Sequence, residues 1–122
     1  MTKKPKLTVL VTGGRGYNNY KIVSDNLERL EKDHTLFVVQ GGARGADTLA
    51  LMWCESHGVF GATVHAKWDI YGKAAGTIRN QHMLDAYKPD LILAFPGGKG
   101  TEDMISRAER AGVKVERVSD QE

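Results

Sequence analysis

Cys54 is the only cysteine in the chain, which rules out an intramolecular disulfide and makes a reducing compartment the simpler expectation. No apolar run approaches the roughly 20 residues that a membrane-spanning helix needs. The N-terminus also lacks the apolar stretch of a signal peptide. A cytoplasmic protein with no membrane partner is expected. An excess of one charge is missing too: 17 basic residues against 15 acidic ones leave a net charge of +2. Apart from Lys3, Lys4 and Lys6, the basic residues are dispersed. Nucleic acid is therefore disfavoured as a partner, and a local anion pocket suits the distribution better. His34, His57, His65 and His82 show no close metal-ligand spacing, so no metal site is expected, and no cofactor is expected either.

With 41% hydrophobic and 26% charged residues, the composition is that of a folded globular chain rather than a disordered one. Glycine is plentiful, with 14 residues, and its placement is informative. Glycines cluster just after apolar runs, at Gly13-Gly14-x-Gly16, Gly41-Gly42-x-x-Gly45 and Gly97-Gly98-x-Gly100. Recurrent strand–glycine–helix junctions indicate backbone brought close to a ligand.

Five apolar runs read as strands, over residues 7–12, 36–40, 62–66, 91–95 and 113–118. The first, second and fourth are nearly continuous in apolar character, as parallel strands covered on both faces require. Four stretches between them have helical periodicity. Their stripes are Tyr20, Val23, Leu27 and Leu30; Ala46, Leu49, Ala50 and Trp53; Met83, Leu84 and Tyr87; and Met104, Ile105, Ala108 and Ala111. Asn18 or Asn19 can cap the first helix, Gly58 and Gly112 follow the second and fourth, and Pro89 ends the third. This alternation predicts an α/β fold spanning residues 1–122. It would be a single Rossmann-like, doubly wound parallel sheet of five strands with helices on both faces. Residues 67–75 read as one long connection, a candidate lid that is mobile without ligand.

In such a sheet, ligands bind beyond the carboxyl ends of the strands where the winding reverses. Gly13, Gly14 and Arg15, Gly41, Gly42 and Arg44, and Pro96, Gly97, Gly98, Gly100 and Thr101 are accordingly the candidate ligand-binding loops. For the first and third loops to share a ligand, the fourth strand must lie beside the first. Neither a Walker A sequence nor a Gly-x-Gly-x-x-Gly fingerprint is present, which disfavours ATP hydrolysis and dinucleotide redox chemistry. Helix faces add to the candidates. Arg79 and Asn80 each stand four residues before a core position, Met83 and Leu84, and so top the third helix at the rim of the crevice. Thr101 and Asp47 hold the same position on their helices, where capping is the competing role. A guanidinium aimed at a core needs an anionic partner. For Arg79 that is a ligand phosphate, or else Asp47 or Asp103. Trp68 and Tyr71 can stack on a base or simply pin the connection. Cys54, inside a helix beside Trp53, reads as a packing residue.

Three ordered stretches resemble the SLOG superfamily, most closely its small YspA-like branch of bacterial and phage proteins. They are Gly41-Gly42-Ala43-Arg44-Gly45-Ala46-Asp47, Gly72-Lys73-Ala74-Ala75-Gly76-Thr77-Ile78-Arg79-Asn80 and Phe95-Pro96-Gly97-Gly98-Lys99-Gly100-Thr101. Relatives include the Lonely Guy phosphoribohydrolases and the DNA-processing protein A family. The resemblance implies a Rossmann-like fold with nucleotides or nucleotide derivatives at the glycine motifs, and it adds Lys73 to the candidate ligand-binding residues. It also exposes a departure. The Lonely Guy motif Pro-Gly-Gly-x-Gly-Thr-x-x-Glu closes on a catalytic glutamate paired with an arginine. Arg79 can match the arginine, but Met104 occupies the glutamate position. Methionine neither transfers a proton nor stabilises a cationic centre.

The leading expectation is a sensor or binding module for a phosphate-bearing nucleotide or nucleotide-derived small molecule. An N-glycosidic or phosphoribosyl hydrolase is the alternative, with Arg79, Asp47 and Asp69 as candidate catalytic residues. Single-stranded DNA binding is the weakest reading, since no basic stripe with interleaved aromatics is present. Self-association is left open.

Overall fold

The computed structural model describes residues 3–119. Five parallel strands form one sheet in the order β3-β2-β1-β4-β5. They are β1 (Lys6–Thr12), β2 (Thr35–Gln40), β3 (Gly61–Thr63), β4 (Leu91–Ala94) and β5 (Lys114–Arg117). The helices between them are α1 (Tyr20–Asp33), α2 (Ala46–His57), the single turn α3 (Trp68–Tyr71), α4 (Ala75–Tyr87) and α5 (Lys99–Arg110).

Alternation along each strand sorts the core into two layers. Val9 and Val11, Val38, and Leu91 and Leu93 pack with Val23, Leu27, Ala50 and Trp53 of α1 and α2. Leu10, Val39 and Ile92, the intervening residues, pack with Met83 and Leu84 of α4 and with Met104 and Ala108 of α5. A two-residue strand period buried on both sides is what makes these runs continuously apolar. Helix ends follow local chemistry. The Asn19 side chain accepts from the Ile22 amide at the start of α1, and Gly58 closes α2 in the left-handed conformation. Lys88 closes α4 at φ 44°, directly before Pro89.

Two elements differ from the sequence expectation. β3 is an edge strand that stops at Thr63, because its partner β2 ends at Gln40 and leaves nothing to pair with beyond it. The connection over residues 67–75 is largely helical: α3 runs through a 3-10 turn at Gly72–Ala74 into α4. None of the four α3 residues is buried, so no apolar period marks the helix in the sequence.

Candidate functional site

β1 and β4 lie side by side, with Val11 opposite Leu93 and Thr12 opposite Ala94. Their chains then leave toward opposite faces, into α1 and α5, and a crevice opens between the two loops. Gly14 ties the glycine loops together. Its amide donates to the Pro96 carbonyl (2.9 Å), and its carbonyl accepts from the amides of Tyr17 and Ala46 (both 3.2 Å). Side chains would break this junction. A Cβ on Gly45, which sits at φ 83°, would run into the Gly14 carbonyl, and one on Gly97 would strike the Thr101 hydroxyl.

A cavity of about 490 Å³ occupies the crevice, within the range of small-molecule sites. Gly13, Gly14 and Arg15 form one wall, and Gly98, Lys99, Gly100 and Thr101 at the start of α5 form the next. Lys73, Arg79 and Asn80 line it from the α4 side, Asp47 from α2 and Trp68 from α3. Gly41, Gly42, Arg44, Pro96, Gly97 and Asp69 are not among the lining residues. Gly41 lies under the Arg79 guanidinium, Gly42 beside His65, and Gly97 against Thr101, while Arg44 and Asp69 face solvent. Lys99 and Thr77 also line the cavity, and both lie inside the glycine-containing stretches, where the sequence alone does not mark them as ligand-facing. α5 has no side-chain cap at its N-terminus, so its first-turn amides keep donor capacity toward the cavity, whereas α4 continues from the preceding 3-10 turn, whose Gly72 carbonyl accepts from the Ala75 amide.

Asp47 is 7% exposed, and its Oδ2 accepts from the amides of Gly41 (3.1 Å) and Ala43 (3.2 Å). Loss of hydration on burial pushes its carboxyl up to about 6, despite those two amides and the charge of Arg79. Arg79 finds its hydrogen-bond partners in two backbone carbonyls and a side-chain amide rather than in an acid. Its Nη1 donates to the carbonyls of Gly41 (2.6 Å) and Val64 (3.4 Å), and its Nε to Asn80 Oδ1 (3.3 Å). Burial lowers the guanidinium pKa; Asp47 raises it and the like charge of Arg15 lowers it further. Asp103, the other acid considered for Arg79, instead accepts from Arg107 Nε (2.8 Å) and Asn80 Nδ2 (3.0 Å). Arg15 has its guanidinium 5.6 Å from the centroid of the Trp68 ring. Among the described residues Arg15, Lys73 and Lys99 have no salt-bridge partner. Met104 is fully buried in the α4–α5 layer, away from the cavity, and burial pushes the Cys54 thiol up to about 11.

Comparison with known proteins agrees with this architecture. The chain is 39% identical over 116 residues to the gene 61 protein of Mycobacterium phage D29, covering 88% of this chain and 92% of that one. DNA processing protein A from Streptococcus pneumoniae superposes with a TM-score of 0.51 at 20% identity, a likeness of fold alone. The match covers 93% of this chain but only 58% of that protein. The model of the YspA, cpYpsA-related SLOG family matches residues 7–71. With the relationship to the phage protein, that match makes the chain a member of the YspA, cpYpsA-related SLOG family.

Proposed function

We propose that the cavity binds the phosphate of a nucleotide or nucleotide-derived small molecule, the chain acting as a sensor or binding module. One observation carries this reading. Four cationic side chains, Arg15, Lys73, Arg79 and Lys99, line the cavity against a single carboxyl, Asp47, that burial already disposes toward protonation. Cations gathered at the mouths of glycine loops and at the uncapped start of α5 are complementary to a multiply charged anion. Family membership supports the same class of ligand.

Calorimetry with AMP and adenosine tests the proposal. AMP binds and adenosine binds far more weakly, and Arg15→Ala and Lys99→Ala each lower AMP affinity by roughly ten- to a hundredfold. Adenosine binding as tightly as AMP would refute it.

The hydrolase reading keeps one specific support. Asp47, unlike Asp69, lines the cavity, and a carboxyl near pH 6 is suited to proton transfer. Release of adenine and ribose 5-phosphate from AMP, abolished in Asp47→Asn, would establish it.

A further inference from the structure

The cations above would be served equally by free phosphate, a sugar phosphate or a nucleotide. One feature of the cavity wall discriminates among them. Trp68 is 47% exposed yet lines the cavity, and it belongs to a helix with no buried residue. A large aromatic ring held at a cavity wall without core contacts contributes little to folding. Its setting is nevertheless defined. The six-membered edge of the indole lies over the first turn of α4, with its Cζ2 and Cη2 atoms within van der Waals reach of a Cβ placed on Gly76. The Arg15 guanidinium stands over the ring at 5.6 Å from its centroid. Arg15 reaches there from the β1–α1 loop, across the crevice, and is exposed.

Resting on the reading that the cavity takes a phosphorylated ligand, we infer that Trp68 is the platform for an aromatic base, so that the ligand is a nucleotide and not a sugar phosphate. A planar ring between two planar groups needs about 7–8 Å between them, twice a carbon–carbon contact. The present gap is smaller, so an entering base separates Arg15 from Trp68. The released guanidinium then lies on the same side of the cavity as the glycine loop Gly13-Gly14, where a phosphate is its natural partner. Arg15 thus covers the indole in the free protein and pairs with the anion in the bound one. Any base offers a π-face, and ring stacking of this kind is worth roughly five- to 150-fold in affinity by alanine substitution.

The test compares AMP with ribose 5-phosphate, which keeps the phosphate and sugar but has no base. Calorimetry on the wild type, Trp68→Ala and Trp68→Phe gives three affinities for each ligand. AMP is expected to bind the wild type roughly five- to 150-fold more tightly than ribose 5-phosphate. Trp68→Ala removes that advantage while leaving ribose 5-phosphate affinity unchanged, and Trp68→Phe restores most of it. Fluorescence gives a second readout, because the other tryptophan, Trp53, is fully buried in the core. AMP changes the emission of the wild type and leaves that of Trp68→Phe unaltered. Equal wild-type affinity for the two ligands overturns the platform but spares the phosphate site, as does an equal loss of both ligands in Trp68→Ala. Failure of both ligands to bind the wild type overturns the phosphate site as well.

Discussion

Asp47 holds a position that costs the free protein stability. An acid whose pKa is higher folded than unfolded binds its proton more tightly in the folded state. Below pH 3.8 both states are protonated, and above about 6 both are ionised, so stability declines as pH rises through that interval. At 1.36 kcal/mol per unit, the decline from this residue amounts to about 3 kcal/mol. Asparagine keeps a carbonyl oxygen for the Gly41 and Ala43 amides but carries no charge to desolvate. Asp47→Asn is therefore expected to match the wild-type urea midpoint near pH 4 and to exceed it at pH 7.5. Midpoints that run parallel across that range would refute the assignment. Arg79 has the opposite balance. It stitches the ends of β2 and β3 through the Gly41 and Val64 carbonyls while also lining the cavity. Arg79→Ala should cost about 2 kcal/mol of folding stability, the worth of a charge-assisted hydrogen bond, and should weaken AMP binding as well. An unchanged urea midpoint would show that the carbonyl contacts carry no weight. Arg79 was legible as a residue needing a partner, because its spacing from Met83 aims it inward. The identity of the partner was not, since backbone carbonyls have no sequence signature.

At the scale of elements, legibility followed burial. β1, β2 and β4 were readable to within a residue because both of their faces are covered, and α5 because its stripe of Met104, Ile105 and Ala108 is buried. α3 was invisible for the same reason reversed: four exposed residues leave no periodic pattern to read. What orders α3 is its continuity with α4 through Gly72, at φ 56°, and the seat of Trp68 over Gly76. A segment held by so little opens readily. Amides of residues 67–75 should exchange fast in the free protein and slow on addition of AMP, as the base engages Trp68 and the phosphate engages Lys73. Equally slow exchange in both states would mean that α3 is a fixed wall and not a closing one.

Across the whole molecule, the three glycine motifs foretold the neighbouring of β1 and β4, but they overstated how many glycines face the cavity. Gly45 and Gly97 are required where one loop meets another, at Gly14 and at Thr101. A sequence cannot distinguish a glycine that admits a ligand from one that admits a neighbouring loop. The cavity itself is assembled from residues as far apart in the chain as Gly13, Asp47, Trp68 and Thr101, so it exists only when β1, β4 and the starts of α2, α3, α4 and α5 are all in place. Ligand binding is thereby coupled to global unfolding. AMP at a hundred times its dissociation constant should add about 2.7 kcal/mol of stability. For a domain of this length that corresponds to a rise in Tm of about 10 °C. The rise should also depend on salt. Screening lengths shrink from about 10 Å at 0.1 M to about 3 Å at 1 M, which weakens attraction between the partly exposed cations and the phosphate. The same screening relieves repulsion among Arg15, Lys73, Arg79 and Lys99 in the free protein. At a fixed AMP concentration, moving from 0.1 to 1 M sodium chloride should hold or raise the ligand-free Tm while cutting the AMP-induced rise by more than half. A rise that is the same in both salts would mean that AMP is held by its base and sugar alone, and that the cationic wall is not the anion site.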